Sequence, residues 1–474
     1  MNRHLWTIAC GVAALALMLC LAAPAAAQNP YAKWKFDEIT FDPPMPERFE
    51  LPNGMVVYFL PDRQLPVVTI SVLLHAGEAY VPADKTGLAA ITGEALVTGG
   101  TRTRTPDQVD EELEFRGIQW SGSIEMESGE FSMQCLSRDF ETALSLLSDL
   151  LINPAFEASR LQLAIDNTLE DIRRQNDSPG RISRREYARL VYGDHPYGRS
   201  PSEKTVSAIT RQDVMDFYRS YFHPNRCILA LSGDLDAAAL RARLEKAFSG
   251  WPRGEGTLPV IPDPAPPQPG VYQIDKDISQ TNLRFGHLGI DRHNPDRHAL
   301  RVLNHILGGG GFTSRMMGKV RSDSGWAYSV GTAFGTSDKA GLFVAACETK
   351  SETTTKALAL MQWVIADVRD NGIRDEELTT AKESIINSDV FNYDTPVDVV
   401  ENYAWLEFHG FPPDQLKRNL ETIRAVTRAD VEAVARKYLD PSRYVVVAVG
   451  KIAAFDAPLD KFGPVTTLTL EPAP

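Results

Sequence analysis

The chain has 474 residues, 43% apolar and 23% charged, which excludes disordered, collagen-like and polytopic membrane proteins and leaves room for two domains of about 200 residues. Its 49 basic residues are outnumbered by 62 acidic ones, for a formal charge of −13. An acidic chain with no Lys/Arg block offers phosphate backbones nothing to hold, so nucleic acid is not an expected partner.

Residues 1–27 read as a secretory signal. Arg3 supplies the positive start, Ile8 to Ala23 is an apolar run, and Ala25, Ala26 and Ala27 are small residues before Gln28. An uncleaved anchor is the alternative, because the run approaches spanning length. Lipidation at Cys20 is disfavoured by the bulky Leu19 before it. Cleavage predicts an exported protein, in a compartment such as the bacterial periplasm, with no membrane attachment afterwards. It also removes Cys10 and Cys20, leaving Cys135, Cys227 and Cys347 with no C-x-x-C pair. Cys227 and Cys347 sit in apolar runs, so buried packing is expected rather than a disulfide framework.

Three early stretches read as strands: MVVYFLP (55–61), preceded by the turn pair Asn53-Gly54, then VVTISVLLH (67–75) and FSMQCLS (131–137). FETALSLLSDLLI (140–152), RLQLAIDNTLEDIRRQ (160–175) and ALALMQWVIADVRD (357–370) repeat apolar residues at helical spacing. Seven of the 18 residues from Pro252 to Pro269 are proline, which suits neither a helix interior nor a central strand and predicts a stiff linker. The expected plan is a signal over 1–27, a first domain over 28–251, the linker over 252–270 and a second domain over 271–474.

The two halves are related. At an offset of 217, nine of 24 positions from Thr210 to Gly233 are identical, including Thr210/Thr427, Asp213/Asp430, Tyr221/Tyr438, Pro224/Pro441 and Gly233/Gly450. Thr-x-x-Asp predicts a capped helix start, the Pro ends the helix, and CILALSG or YVVVAVG follows as a strand. A period this long indicates domain duplication. There is no β-helix-β rhythm with a phosphate loop. Each half is therefore expected to be α+β, a mainly antiparallel sheet with helices on one face, the two α/β-roll domains forming a clamshell.

With this duplication, the segments GLAAITGEALVTGGT (87–101), DHPYGRSP (194–201), YFHPNRCILALSGD (221–234) and GGGGFTSRMMGKVRSDSGWAYSV (308–330) make the chain resemble insulinase/pitrilysin zinc peptidases, in the branch of mitochondrial processing peptidase. The resemblance covers nearly all of the chain after residue 27. Active members carry H-x-x-E-H on the helix after G-L-A, two His holding zinc and the Glu taking a proton from its water. Here those positions are Ala90, Ile91, Thr92, Gly93 and Glu94. A third ligand, a later Glu in relatives, falls by spacing on Asp171, with Glu170 beside it. Two carboxylates without imidazole suit zinc poorly. Neither a metal nor another cofactor is expected in this chain, and zinc is expected in a partner subunit.

The resemblance further implies that the second half contributes an Arg and a Tyr seven residues apart, to hold substrate and stabilise an oxyanion; the matching positions are Arg321 and Tyr328. Spacing alone allows a plainer reading, in which Arg321 pairs with a nearby Asp and Tyr328 packs in a strand. Gly308, Gly309, Gly310 and Gly311 follow a helix ending near Leu307, and four in a row leave backbone groups free to meet an extended chain. Non-catalytic processing-peptidase subunits have a flexible glycine-rich loop in this region. No G-K-[ST] follows, which disfavours a phosphate loop. His298 and His305 share a helix face without an acidic or Cys ligand beside them, so a solvated or hydrogen-bonded pair is expected. The expected function is a catalytically degenerate subunit that pairs with an active zinc peptidase sister and helps bind an extended peptide. The alternative is a periplasmic peptide-binding or scaffold protein with no role in proteolysis.

Overall fold

The computed structural model describes residues 42–470, so the expected signal over 1–27 lies outside the described residues. The first half builds a six-stranded sheet from Glu47–Glu50 (β1), Val56–Pro61 (β2), Val67–Leu74 (β3), Gln119–Ile124 (β4), Gly129–Leu136 (β5) and Cys227–Gly233 (β6), in the order β1-β2-β6-β3-β5-β4. The second uses Gly270–Asp275 (β7), Gln280–Leu288 (β8), Ala327–Phe334 (β10), Leu342–Lys350 (β12), Val445–Gly450 (β13) and Val465–Thr467 (β14), in the order β10-β12-β8-β13-β7-β14. Between β8 and β12, Ile290–Asp291 (β9) and Thr336–Ser337 (β11) pair as a small parallel ribbon.

The duplication is visible strand by strand. β6 pairs parallel with β2 and antiparallel with β3, and β13 does the same with β7 and β8. Thr210 and Thr427 both form capping boxes, with Asp213 and Asp430, and open helices Arg211–Tyr221 and Arg428–Tyr438. The duplicated glycines end their strands where a neighbour leaves no room: a Cβ on Gly233 would lie 2.4 Å from the Val67 carbonyl, and one on Gly450 2.5 Å from Thr281 Oγ1. Residues 252–269 form neither helix nor strand.

Helices lie on both faces of each sheet, which corrects the one-face expectation. One face of each sheet carries the core built with its own half. The other is covered by a helix from the opposite half. Helix Pro179–Tyr192 leaves the first half and packs on β13 and β8, while Pro396–Phe408 leaves the second and packs on β6, β2 and β3. Ile182, Tyr187 and Val191 thereby join Ile274, Val445, Val447 and Val449 in a third core that neither half owns alone. The Tyr187 hydroxyl donates to the Phe343 carbonyl at 2.6 Å; in return, Glu407 accepts from Arg48 and from the Tyr58 hydroxyl at 2.5 Å. This exchange explains why every residue of β6 and β13 is buried, as their unbroken apolar runs require.

A buried ionic seam closes the joint. Arg292, its side chain 9% exposed, pairs with Glu127 from the β4–β5 turn and with Asp338 at 2.6 Å. The Tyr197 hydroxyl also donates to Glu127, the Asp338 N–H donates to it at 2.7 Å, and His409 Nδ1 lies 3.4 Å from Asp338. His195, of DHPYGRSP, sits 2.8 Å from the Pro262 carbonyl through Nε2 and ties the linker down. Among the described residues, Cys135, Cys227 and Cys347 are buried and free.

Candidate functional site

Helix Leu88–Thr98 carries the positions matched above to the H-x-x-E-H motif. It has no capping side chain of its own: its N-cap is Gly87, at φ +105. Glu78 fills the gap from outside the helix, accepting from the Gly87 N–H at 2.6 Å and the Ala89 N–H at 3.1 Å. Burial pushes the Glu78 carboxyl up to about 7, although the two N–H groups and Arg199 pull the other way.

The three degenerate positions differ in surroundings. Ala90 is exposed. Gly93 is buried against the edge strand, where a Cβ would stand 2.8 Å from the Ile124 backbone nitrogen and 3.2 Å from Ile124 Cγ1. Glu94 is half-buried and accepts from Asn167 Nδ2 at 3.2 Å. Asn167 belongs to helix Ala158–Arg173, one turn before Asp171, so the later helix does lie beside Glu94. Asp171 itself is exposed, and Glu170 is engaged by Arg173 and Arg174. These residues do not fit zinc: there is no imidazole, the base position has no space for a side chain, and the remaining carboxylate is already hydrogen-bonded. Among the described residues, no group of three or more His, Cys, Asp or Glu converges as a metal site.

The second constellation is assembled. Arg321 lies in a π-helical stretch, Met317–Asp323, and Tyr328 on edge strand β10. The β10–β12 register shifts between Ala327 and Ser329, which face Thr349 and Glu348, so Tyr328 is the extra residue of a bulge. A bulge re-aims its side chain, and here it brings the Tyr328 ring centroid to 4.7 Å from the Arg321 guanidinium carbon. Phe312, which the motif comparison did not single out, approaches the same guanidinium at 4.8 Å. The signal for Phe312 was an aromatic directly after a glycine run. Arg321 does not pair with a nearby Asp, since Asp323 is taken by Lys319 at 2.8 Å, and Tyr328 is 78% exposed rather than packed. No hydrogen bond, ion pair or ring contact joins Arg321 or Tyr328 to Ala90, Gly93, Glu94 or Asp171.

The glycine run is more tightly held than its composition suggests. Helix Arg297–Asn304 continues as a π-helix over His305–Gly309, past the expected end at Leu307. A Cβ on Gly308 would meet the Thr332 nitrogen of β10 at 2.5 Å, one on Gly309 the Asn304 amide at 2.5 Å, and one on Gly310 the His305 carbonyl at 2.5 Å. Close approach fixes these three. Only Gly311, at φ +57, has open space around it, and it places Phe312. Arg315, three residues on, anchors the segment: it pairs bidentately with Glu377, at 2.8 and 2.7 Å, and with Asp367 at 2.7 Å. Burial opposes ionisation of Glu377, yet Arg315 holds its carboxyl down to about 2.

His298 and His305 are part-buried. Burial, and then Arg297 and Arg301, pull His298 down to about 4, and burial with Arg301 lowers His305. Burial and the neighbouring arginines disfavour the charged form of both. A cavity of 330 Å³ lies elsewhere, between the first sheet and the exchanged helix Pro396–Phe408, lined by Ser71, Ser132, Glu130, Glu401 and Trp405. None of the sequence-predicted site residues lines it. Among the described residues no helix is long and apolar enough to cross a membrane.

Two family models match the chain in tandem: "Insulinase (Peptidase family M16)" over residues 57–203 and "Peptidase M16 inactive domain" over 208–385. The first spans the helix with Ala90, Gly93 and Glu94, the second spans Arg321 and Tyr328. Similar curated proteins include an uncharacterized zinc protease of Rickettsia felis, 24% identical over 79% of this chain and 91% of that protein. Another, from Mycobacterium tuberculosis, is 26% identical over 85% of this chain and 93% of that protein. Among solved structures, the peptidase M16 inactive domain from Pseudomonas fluorescens superposes with a TM-score of 0.79 at 27% identity, covering 85% of this chain and 97% of that one. A protease from Helicobacter pylori shares the fold with a TM-score of 0.76 at 17% identity, over 85% and 100% of the two chains.

Proposed function

Starting from the fact that this chain belongs to the insulinase (M16) peptidase family, we propose that it is the non-catalytic subunit of a two-chain zinc peptidase. Its sister carries H-x-x-E-H and supplies zinc and base. This chain supplies Arg321 and Tyr328, which hold an extended peptide and stabilise the oxyanion, and it forms half of the chamber around them. The observation that carries the reading is an asymmetry: the metal-motif helix is unusable, with Gly93 walled in by β4, whereas a part-buried Arg321 and an exposed Tyr328 are held together without a competing ion pair. An Arg that only stabilised the fold would be expected to pair with a carboxylate, as Arg315 does.

The clamshell of this reading closes between subunits. Opening the chain between its halves would pull Pro179–Tyr192 and Pro396–Phe408 off their sheets, so the joint inside the chain is rigid. The sequence of residues 1–27 supports an exported pair, in a compartment such as the periplasm.

The test is peptidase activity on unstructured peptides, with bound zinc quantified, for the chain from Gln28 alone and mixed with an H-x-x-E-H-bearing homologue from the same organism. The chain alone is expected to be inert and zinc-free, and to activate the homologue on mixing. Arg321→Ala or Tyr328→Phe should lower that gain by about a hundredfold, as loss of an oxyanion donor does. If mixing changes nothing and the two do not co-elute, the pairing is wrong and a peptide-binding or scaffold role takes its place.

A further inference from the structure

Arg321 is flanked by two aromatic rings, one more than the Arg–Tyr pair requires. Phe312 is 73% exposed and Tyr328 78%, so neither ring is there to fill a core. The rings stand 4.8 and 4.7 Å from the guanidinium carbon, so both lie within cation–π reach of the same charge. Cation–π contacts engage the charge without taking up the N–H groups of a guanidinium. Arg321 donates none of these to a described residue: Asp323 is occupied by Lys319, and the carboxylates of Asp367 and Glu377 by Arg315. Ser322, next in sequence, has no charge to pair with it.

We propose that Phe312, Arg321 and Tyr328 form one subsite for a carboxylate carried by an extended peptide, with Phe312 as its third member. This rests on the reading that Arg321 and Tyr328 face substrate. The ligand class follows from the geometry of the unused donors. Two parallel N–H groups on a guanidinium edge match both oxygens of a carboxylate, whereas a peptide carbonyl engages one. Two rings against a part-buried guanidinium displace part of its water without neutralising it, so an anion gains more there than a neutral acceptor does. Phe312 thus sets specificity through Arg321. Its placement follows from Gly311, the one open glycine of the run, and from the Arg315 anchor. A hollow of 450 Å³ bordered by Phe312, by Lys319 and Arg374, and by the ion-paired Asp323, Asp367 and Glu377 lies beside the rings and has room for a neighbouring residue of the peptide.

The chemistry has two sources, the C-terminal carboxylate of a peptide or an Asp/Glu side chain within it. The chain from Gln28 would be titrated, by fluorescence anisotropy, with four labelled peptides of one flexible sequence: the free acid, its amide, and amides with an internal Glu or Gln. Salt would be physiological, where the Debye length of about 8 Å screens the acidic surface beyond the site. The subsite predicts that at least one carboxylate peptide binds about fivefold or more tighter than its neutral twin. Preference for the free acid alone assigns the C-terminus, and for Glu over Gln alone a side chain. Phe312→Leu, at an exposed position, should cut the preference about two- to fivefold, with Phe312→Tyr retaining it and Arg321→Gln abolishing it. Equal binding of each charged and neutral pair overturns the subsite, and an unchanged preference in Phe312→Leu removes Phe312 from it. Both readouts use the isolated chain. Failure here with activation of a sister intact therefore sinks the subsite alone, and failure of activation sinks the pairing.

Discussion

At Gly93 a single methyl group tests whether helix Leu88–Thr98 has room for a side chain against β4. In an open helix, Gly→Ala gains about 0.5–1 kcal/mol of backbone entropy. Here the new Cβ meets the Ile124 backbone nitrogen at 2.8 Å, and backbone cannot swing aside as a side chain does. Overpacking of that kind costs about 1–3 kcal/mol, so the contact wins and Gly93→Ala is expected to lower the urea midpoint. A raised midpoint would mean that β4 yields and that the catalytic position is still open. The resemblance picked out Ala90, Gly93, Glu94, Arg321 and Tyr328 by spacing along the chain, and the structure brings Arg321 and Tyr328 together. Phe312 was legible only as an aromatic after a glycine run: its partner is nine residues away across an irregular turn, and no local rule links the two. The ion pair expected on plain grounds for Arg321 fails because Lys319, one helical turn before Asp323, reaches that carboxylate first.

Elements that carry their own stop and start signals were read almost to the residue. Helix Phe140–Ile152 and strand β3 coincide with their apolar runs, and both capping boxes fall where Thr-x-x-Asp placed them. Where a signal comes from a distant residue, the reading falls short. Helix Leu88–Thr98 starts on Gly87, and the group that caps it, Glu78, lies on the far side of a turn. This has a consequence for pH. Glu78 binds its proton more tightly in the folded chain, at about 7, than an ordinary carboxyl at 4.5. Folded molecules therefore retain the proton that unfolded ones release as pH rises from 4.5 to 7, and stability falls over that window. Glu78→Gln mimics the protonated form. Its thermal midpoint should stay flatter than the parent's between about pH 5 and pH 8 and exceed it at the upper end, by a few degrees. Equal slopes in the two proteins would show that the carboxyl stays ionised and that its bonds to the helix outweigh burial. The glycine run shows the converse error, in which composition promised freedom that close approach to Thr332, Asn304 and His305 removes.

Across the whole molecule, the duplication at offset 217 was readable and the exchange of helices was not. Sequence similarity reports common descent of the halves, while the sheet on which a helix lands depends on the path of the chain between them. Pro179–Tyr192 shows apolar residues at Ile182, Tyr187 and Val191, which predict a buried stripe but do not name its partner. The buried central strands carried the hint. β6 and β13 are apolar on both faces, and helices on one side of each sheet could not have covered them. The exchange also makes the halves interdependent. A half taken alone would expose the far face of its central strands and leave its own helix without a sheet, and the seam would lose Glu127 from Arg292 or the reverse. Returning a fully buried Val or Ile side chain to water costs about 1.5–3 kcal/mol, so exposing Ile274, Val445, Val447 and Val449 removes a large share of the roughly 5–15 kcal/mol that stabilises a typical domain. Residues 42–251 and 271–470 expressed separately should therefore fail to give dispersed amide spectra, and should recover them when co-expressed. The intact chain should unfold in one cooperative transition by both circular dichroism and calorimetry. Two resolved transitions, or a folded half on its own, would show that the third core is dispensable and would return the hinge to the linker inside this chain.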